Sequence, residues 1–197
     1  MTMKNTIIAI LFILLLISVL VSYFGSALVK RKIMRLYAEG KYDEYMEFLN
    51  SRACQIYVRD NEIEEYRYKV YLKRNDRENI DRYFDKMLKR QVDKTTKLQY
   101  QIKAFYYYMV NNGADKCAQL FEDIKAYGDP DVTKQITYLY EIVVLKKGDY
   151  IDELKAILKE KPNDPFYEYV LSVSYENIGD SRNAKKYKKT YKDHMKA

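Results

Sequence analysis

Six glycines and three prolines are all that interrupt helix-compatible sequence across 197 residues, and their positions dictate the architecture. Both residue types destabilise a helix interior, so stretches without them are free to be helical and the breakers mark where helices stop. Gly25 lies inside an apolar run. Four other glycines occur in similar settings: Ala38-Glu39-Gly40-Lys41-Tyr42, Asn112-Gly113-Ala114-Asp115, Lys147-Gly148-Asp149-Tyr150 and Ile178-Gly179-Asp180. A fifth setting, Arg74-Asn75-Asp76, has Asn, the residue next best able to turn left-handed. The turn positions 40, 75, 113, 148 and 179 are therefore 35, 38, 35 and 31 residues apart. Weaker breaks fall between them near Asp60, Asp93, Gly128-Asp129-Pro130 and residues 162–165. Each period then contains two helices, with a tight turn inside the pair and a looser link between pairs. Strands are not indicated. The 22 tyrosines recur at helical intervals, as in Phe105/Tyr106/Met109 and Tyr167/Leu171/Tyr175, and no Asn-Gly or Asp-Gly turn separates alternating runs.

The N-terminal region differs in kind. Residues 6–29 contain no charge and are almost all Ile, Leu, Val, Phe or Ala. At about 1.5 Å per residue this run spans roughly 36 Å as a helix, enough for a hydrocarbon core of about 30 Å. The expected organisation is a short tail over residues 1–5, a transmembrane anchor over 6–29 and one helical domain over 30–197. A cleaved signal peptide is the rival, since Gly25-Ser26-Ala27 offers small residues for a peptidase. The apolar run exceeds a signal core, however, and Lys4 is the only charge before it. No Cys follows the run closely enough to suggest a lipoprotein. Lys30, Arg31, Lys32 and Arg35 follow it directly and mark the membrane interface, which places the domain on the cytoplasmic side of a single-pass anchor. The same cluster would attract anionic headgroups.

Charge is concentrated at the ends of the chain. The formal total is +7 and the isoelectric point is near 9.1. Residues 181–197 carry a net +6 and residues 30–35 a net +4, leaving 36–180 acidic at −4. A basic nucleic-acid-binding domain is therefore not indicated. Only the last helix combines Lys with aromatics, and Tyr187 and Tyr191 lie one turn apart, as core residues would. Cys54 and Cys117 are too few and too distant for a metal site or disulfide scaffold, and read as small buried apolar residues. The single histidine, His194, falls on a solvated helix end. The glycines are too dispersed for a phosphate loop, and no His/Cys/Asp/Glu cluster has ligand spacing. The sequence thus predicts no catalytic residues, no metal and no cofactor, and the chain is not read as an enzyme.

The period and its packing residues resemble the tetratricopeptide repeat family. The likeness is best over residues 164–191, where Pro165 opens a helix, Leu171, Ser172 and Tyr175 take packing positions, and Gly179-Asp180 makes the turn. Ala184, Tyr187 and Tyr191 follow on the second helix. Phe105, Tyr106, Met109, Gly113, Ala118 and Phe121 form the next-best match. Gly40-Lys41-Tyr42-Asp43-Glu44 keeps a second-helix opening, so that a first helix would continue the membrane segment through residues 29–38. Gly148-Asp149-Tyr150 recurs with Glu141 and Glu153 where the family has small residues, and Asn75, Tyr68 and Ile80 form the most degenerate copy. After the transmembrane helix read from the apolar run, the resemblance implies an all-α fold, an α-solenoid of about five repeats near residues 30–54, 60–91, 93–127, 131–161 and 164–195.

It also implies a function: a membrane-anchored scaffold or adaptor binding a peptide or partner helix, with no small-molecule substrate and no nucleic acid. Groove positions carried over from the family are Tyr100, Lys103, Tyr107 and Val110, then Tyr138, Ile142 and Lys146, then Phe166, Tyr169, Val173 and Asn177. The same side chains would alternatively pack between repeats. Two other functions keep the fold: a chaperone-like or envelope-assembly module outside the cytoplasm, and contact with anionic lipid or RNA through the basic last helix.

Overall fold

In the computed structural model, which describes residues 3–196 and side chains from residue 11 on, every regular element is helical. No strand occurs among the described residues. Of the expected tail, residues 3–5 are already helical and residues 1–2 lie outside the described residues. The chain forms two compact units, Met1–Asp85 and Lys86–Ala197.

The first unit is organised by α1 (Met3–Ala38), 36 unbroken residues or about 54 Å at 1.5 Å per residue. Its described stretch Leu11–Ala38 is long and apolar enough to cross a membrane, with mean hydropathy 2.4 and only 6% burial of the apolar window. The helix changes character without a break. Leu11 through Leu16 and Val19 through Val21 are exposed, whereas Val29, Ile33 and Leu36, spaced four and three residues apart, are buried. They join Tyr45, Leu49, Cys54, Val58, Ile63 and Val70 in one core. Gly40, at φ 69°, lets the chain reverse, and the Lys41 amide bonds the Leu36 carbonyl at 3.0 Å. Of the next three helices, α2 (Tyr42–Leu49) and α3 (Arg52–Tyr57) pack on α1, and α4 (Asp60–Arg74) packs on α2. Buried Tyr45 donates its hydroxyl to the Tyr66 carbonyl at 3.0 Å. Asn75, left-handed at φ 52°, ends α4, and Asp76 at once caps α5 (Arg77–Lys89) by accepting from the Asn79 amide at 3.2 Å. Tyr68 stacks on Tyr83 with ring centroids 4.4 Å apart.

The second unit contains α6 (Lys94–Val110), α7 (Ala114–Tyr127), α8 (Pro130–Tyr138), a π-helical continuation (Leu139–Val144), α9 (Ile151–Glu160), α10 (Pro165–Asn177) and α11 (Ser181–His194). Aspartates punctuate it. Asp93, Asp129, Asp164 and Asp180 each accept a backbone amide in the first turn of the helix that follows, and Pro130 and Pro165 occupy first-turn positions. In this unit α6 packs on α7, the π segment on both, and α10 on the π segment, α9 and α11. Ala104, Phe105, Cys117, Ile124, Ile142, Leu154, Val170 and Leu171 are buried between them.

Two details differ from the expected punctuation. Among the described residues the left-handed ones are Gly40, Asn75, Asn112, Lys146, Asn163 and Gly179, so in the turns at Gly113 and Gly148 the left-handed step is taken one or two residues earlier, by Asn112 and Lys146. Gly148 also permits close contact: a Cβ there would collide with Ile178 Cγ2. The first unit also holds a short helix, α3, that periodicity did not indicate; the Ser51 hydroxyl starts it by accepting from the Cys54 amide at 3.4 Å.

Candidate functional site

The expected groove residues have unequal surroundings. Tyr100, Tyr138 and Ile142 are buried, at 8%, 2% and 0% exposure, and belong to the interior of the second unit rather than to an open groove. Large apolar side chains at these positions gain more by facing a neighbouring helix than by facing water. Tyr169 lies against Tyr191 of α11, with centroids 5.4 Å apart, so it packs within a helix pair. Asn177 is likewise engaged. Its Nδ2 donates to the carbonyls of Ile142 and Lys147, both at 2.8 Å, and so fastens α10 to the end of the π segment. Lys146 is the left-handed residue of that end, at φ 59°. Lys103, Tyr107, Phe166 and Val173 are partly exposed, and Val110 is 73% exposed. These five leave accessible side-chain surface on α6 and α10.

The carboxylates that depart from small-residue packing have hydroxyl partners. The Tyr138 hydroxyl donates to Glu153 Oε1 at 2.6 Å, and the Tyr150 hydroxyl donates to Glu141. Lys134 reaches Glu153 at 3.0 Å and Lys147 reaches Glu141 at 3.5 Å. The Tyr138 bond and then Lys134 hold Glu153 below the usual carboxylate range. Glu141, followed by burial, pushes the Tyr150 phenol up to about 12. Burial raises Tyr138 as well. Such phenols stay protonated and donate; the cluster is a half-buried polar tie whose carboxylates lie toward solvent.

His194 does not project into solvent from the end of α11. Its Nδ1 lies 2.9 Å from both carboxylate oxygens of Glu168, which is buried at 4% exposure. Tyr187 stacks on Tyr175 with centroids 5.7 Å apart. A cavity of about 320 Å³ beside this pair is lined by Lys155, Leu158, Lys159, Pro162, Asn163, Glu168 and Tyr187. Cys54 and Cys117 are free and buried, and burial pushes the Cys117 thiol up to about 11, away from reactivity. No group of three or more His, Cys, Asp or Glu side chains able to hold a metal occurs among the described residues.

The basic residues after the apolar run are mostly engaged with the first unit. Lys30 pairs with Glu62 Oε2 at 2.7 Å, Lys32 Nζ lies 4.1 Å from the Phe48 ring centroid, and Arg35 reaches Glu39 at 3.8 Å. Arg31 is exposed. Glu62 also accepts from Arg59 at 2.6 Å, and these two cations, Lys30 first, hold its carboxyl below the usual range. A second cavity, about 530 Å³, lies beside Lys32, Leu36, Glu44, Glu47, Phe48, Asn50 and Ser51.

The chain thus belongs to the class of all-helical proteins with an N-terminal helix of membrane-spanning length and apolarity. Compared with known proteins, it matches no family model, no curated protein and no solved structure.

Proposed function

We propose that this protein is a membrane-anchored interaction scaffold of tetratricopeptide-like build, holding a peptide or partner helix on the accessible side of α6 and α10. The observation that carries the reading is α1: its exposed apolar length runs unbroken into the core of a helical unit, so anchor and domain share one element. The second unit supports the repeat likeness in that α6 pairs with α7 and α10 with α11, and the π segment packs on α6, α7 and α10 between them. Val110, Tyr107, Val173 and Phe166 offer apolar contact, and Lys103 adds charge, a mixture suited to a protein partner. Basic flanks favour a cytoplasmic domain.

The test uses the full chain in its own membranes, with a photo-crosslinking side chain at position 110 or 173. Both positions should capture the same partner, position 127 should not, and Val110→Lys should abolish recovery. Identical adducts from all three positions would remove this surface from the reading. A reporter active on only one side of the membrane, fused at the C-terminus, should report the cytoplasm.

A further inference from the structure

The α3–α4 corner of the first unit reaches past the basic residues of α1 toward its apolar length. Ser51, at the start of α3, lines the same cavity as Lys32 and Leu36. Tyr57, at the end of α3, has its ring against Gly25; a Cβ on Gly25 would lie 2.5 Å from Tyr57 Cε1. Thus α3 runs antiparallel to α1. Its six residues rise about 9 Å, close to the roughly 10 Å that separate residues 32 and 25 along α1. The chain then turns back, since Glu62 in the first turn of α4 pairs with Lys30 at 2.7 Å. Arg74, at the other end of α4, pairs with Asp43 at 2.7 Å near the far end of α1. Residues 56–58 are therefore the apex of the corner, level with Gly25 and about 7 Å nearer the middle of the apolar run than Lys30.

What the apex presents at that level is apolar. Ile56 is 62% exposed, while Cys54 and Val58 beside it are buried. Val21 and Leu28, which share a helix face with Gly25, are 55% and 66% exposed. One exposed isoleucine on a domain surface needs no explanation. Here it lies beside an exposed apolar helix, with a tyrosine next to it and Arg59 following, the order of residues found at membrane interfaces.

We propose that Ile56 and Tyr57 enter the interfacial layer of the bilayer beside α1, giving the first unit a second, monotopic membrane contact. This rests on the anchorage of α1 in the bilayer. Ile56 meets acyl chains, the Tyr57 hydroxyl stays near the headgroups, and the two contacts fix how the unit is rotated about α1.

The protein contains no tryptophan, so a single introduced indole reports unambiguously. Full-length Ile56→Trp, Leu20→Trp and Leu72→Trp chains are reconstituted in vesicles whose lipids are brominated either near the headgroup or deep in the acyl chain. Ile56→Trp should lose most of its emission to the shallow bromines and Leu20→Trp to the deep ones, while Leu72→Trp, near the far end of α4, keeps its emission. An unquenched Ile56→Trp beside a quenched Leu20→Trp would overturn the interfacial contact and leave the anchor standing. If Leu20→Trp also escapes quenching, the anchor fails and the interfacial contact with it.

Discussion

Asn177 links two helices with one amide. Its two hydrogen bonds satisfy the Ile142 and Lys147 carbonyls, where the π segment gives way to a left-handed turn. A π segment disturbs the regular ladder of backbone bonds, and a side-chain donor from outside the helix compensates. Asn177→Ala should therefore destabilise the chain by about 1–3 kcal/mol. The denaturation midpoint of the detergent-solubilised protein checks this, and Asn177→Asp, lacking the donor, should behave similarly. The sequence placed Asn177 in a groove because position on a helix is legible and the use of an amide is not. Its partners lie 35 and 30 residues away. Tyr138 and Ile142 were displaced for the same reason, since burial depends on which neighbour arrives. Glu141 and Glu153 were visible as departures from small-residue packing, but the tyrosine hydroxyls that receive them became apparent only in three dimensions.

Element boundaries are more legible in the sequence than the surroundings of single side chains. Breakers are local signals, and Asp93, Asp129, Asp164 and Asp180 cap helices that begin where the sequence changes character. Two elements escaped. The six residues of α3 are too few for periodicity to register, though Ser51 marks their start. The π segment has no compositional signature. Continuity of α1 into the domain was legible, because nothing between residues 29 and 38 breaks a helix. This yields a prediction about where the chain can be cut. Burying Val29, Ile33 and Leu36 contributes about 1.5–3 kcal/mol each, together a large share of the 5–15 kcal/mol that typically stabilises a domain. A chain of residues 29–197 should keep the first unit folded, and one of residues 39–197 should lose it, as amide exchange over α2 and α4 would show. A cut after Gly25-Ser26-Ala27 would likewise leave the core intact.

Across the whole molecule, acidic and phenolic groups set a window of stability. Glu62, Asp76, Asp93, Glu153 and Asp180 are held below their ordinary values by ion pairs, hydroxyls or helix amides. A folded-state pKa below the unfolded one stabilises above the unfolded value and is lost as pH falls through the folded one. Tyr45, Tyr138 and Tyr150 are shifted upward, so their contribution is present below the ordinary phenol value and fades as pH rises past it. The urea midpoint should be level from about pH 5 to about pH 9 and fall on both sides. A midpoint still rising below pH 4 would contradict these assignments. Charge at this scale was fully legible: the excess positive charge lies at residues 30–35 and 181–197, with an acidic stretch between.

The unbroken α1 also makes the first unit a mechanical extension of whatever its apolar length is embedded in. A shaft with no joint between residues 28 and 29 transmits inclination as well as position. Tilting by about 10° to suit a thinner bilayer would swing residue 38 sideways by roughly 2–3 Å relative to residue 29, carrying α2 and α4 with it. In that sense the helix is a lever: with its apolar length seated in a bilayer, as proposed, the thickness of that bilayer would be an input to the orientation of what packs on its end.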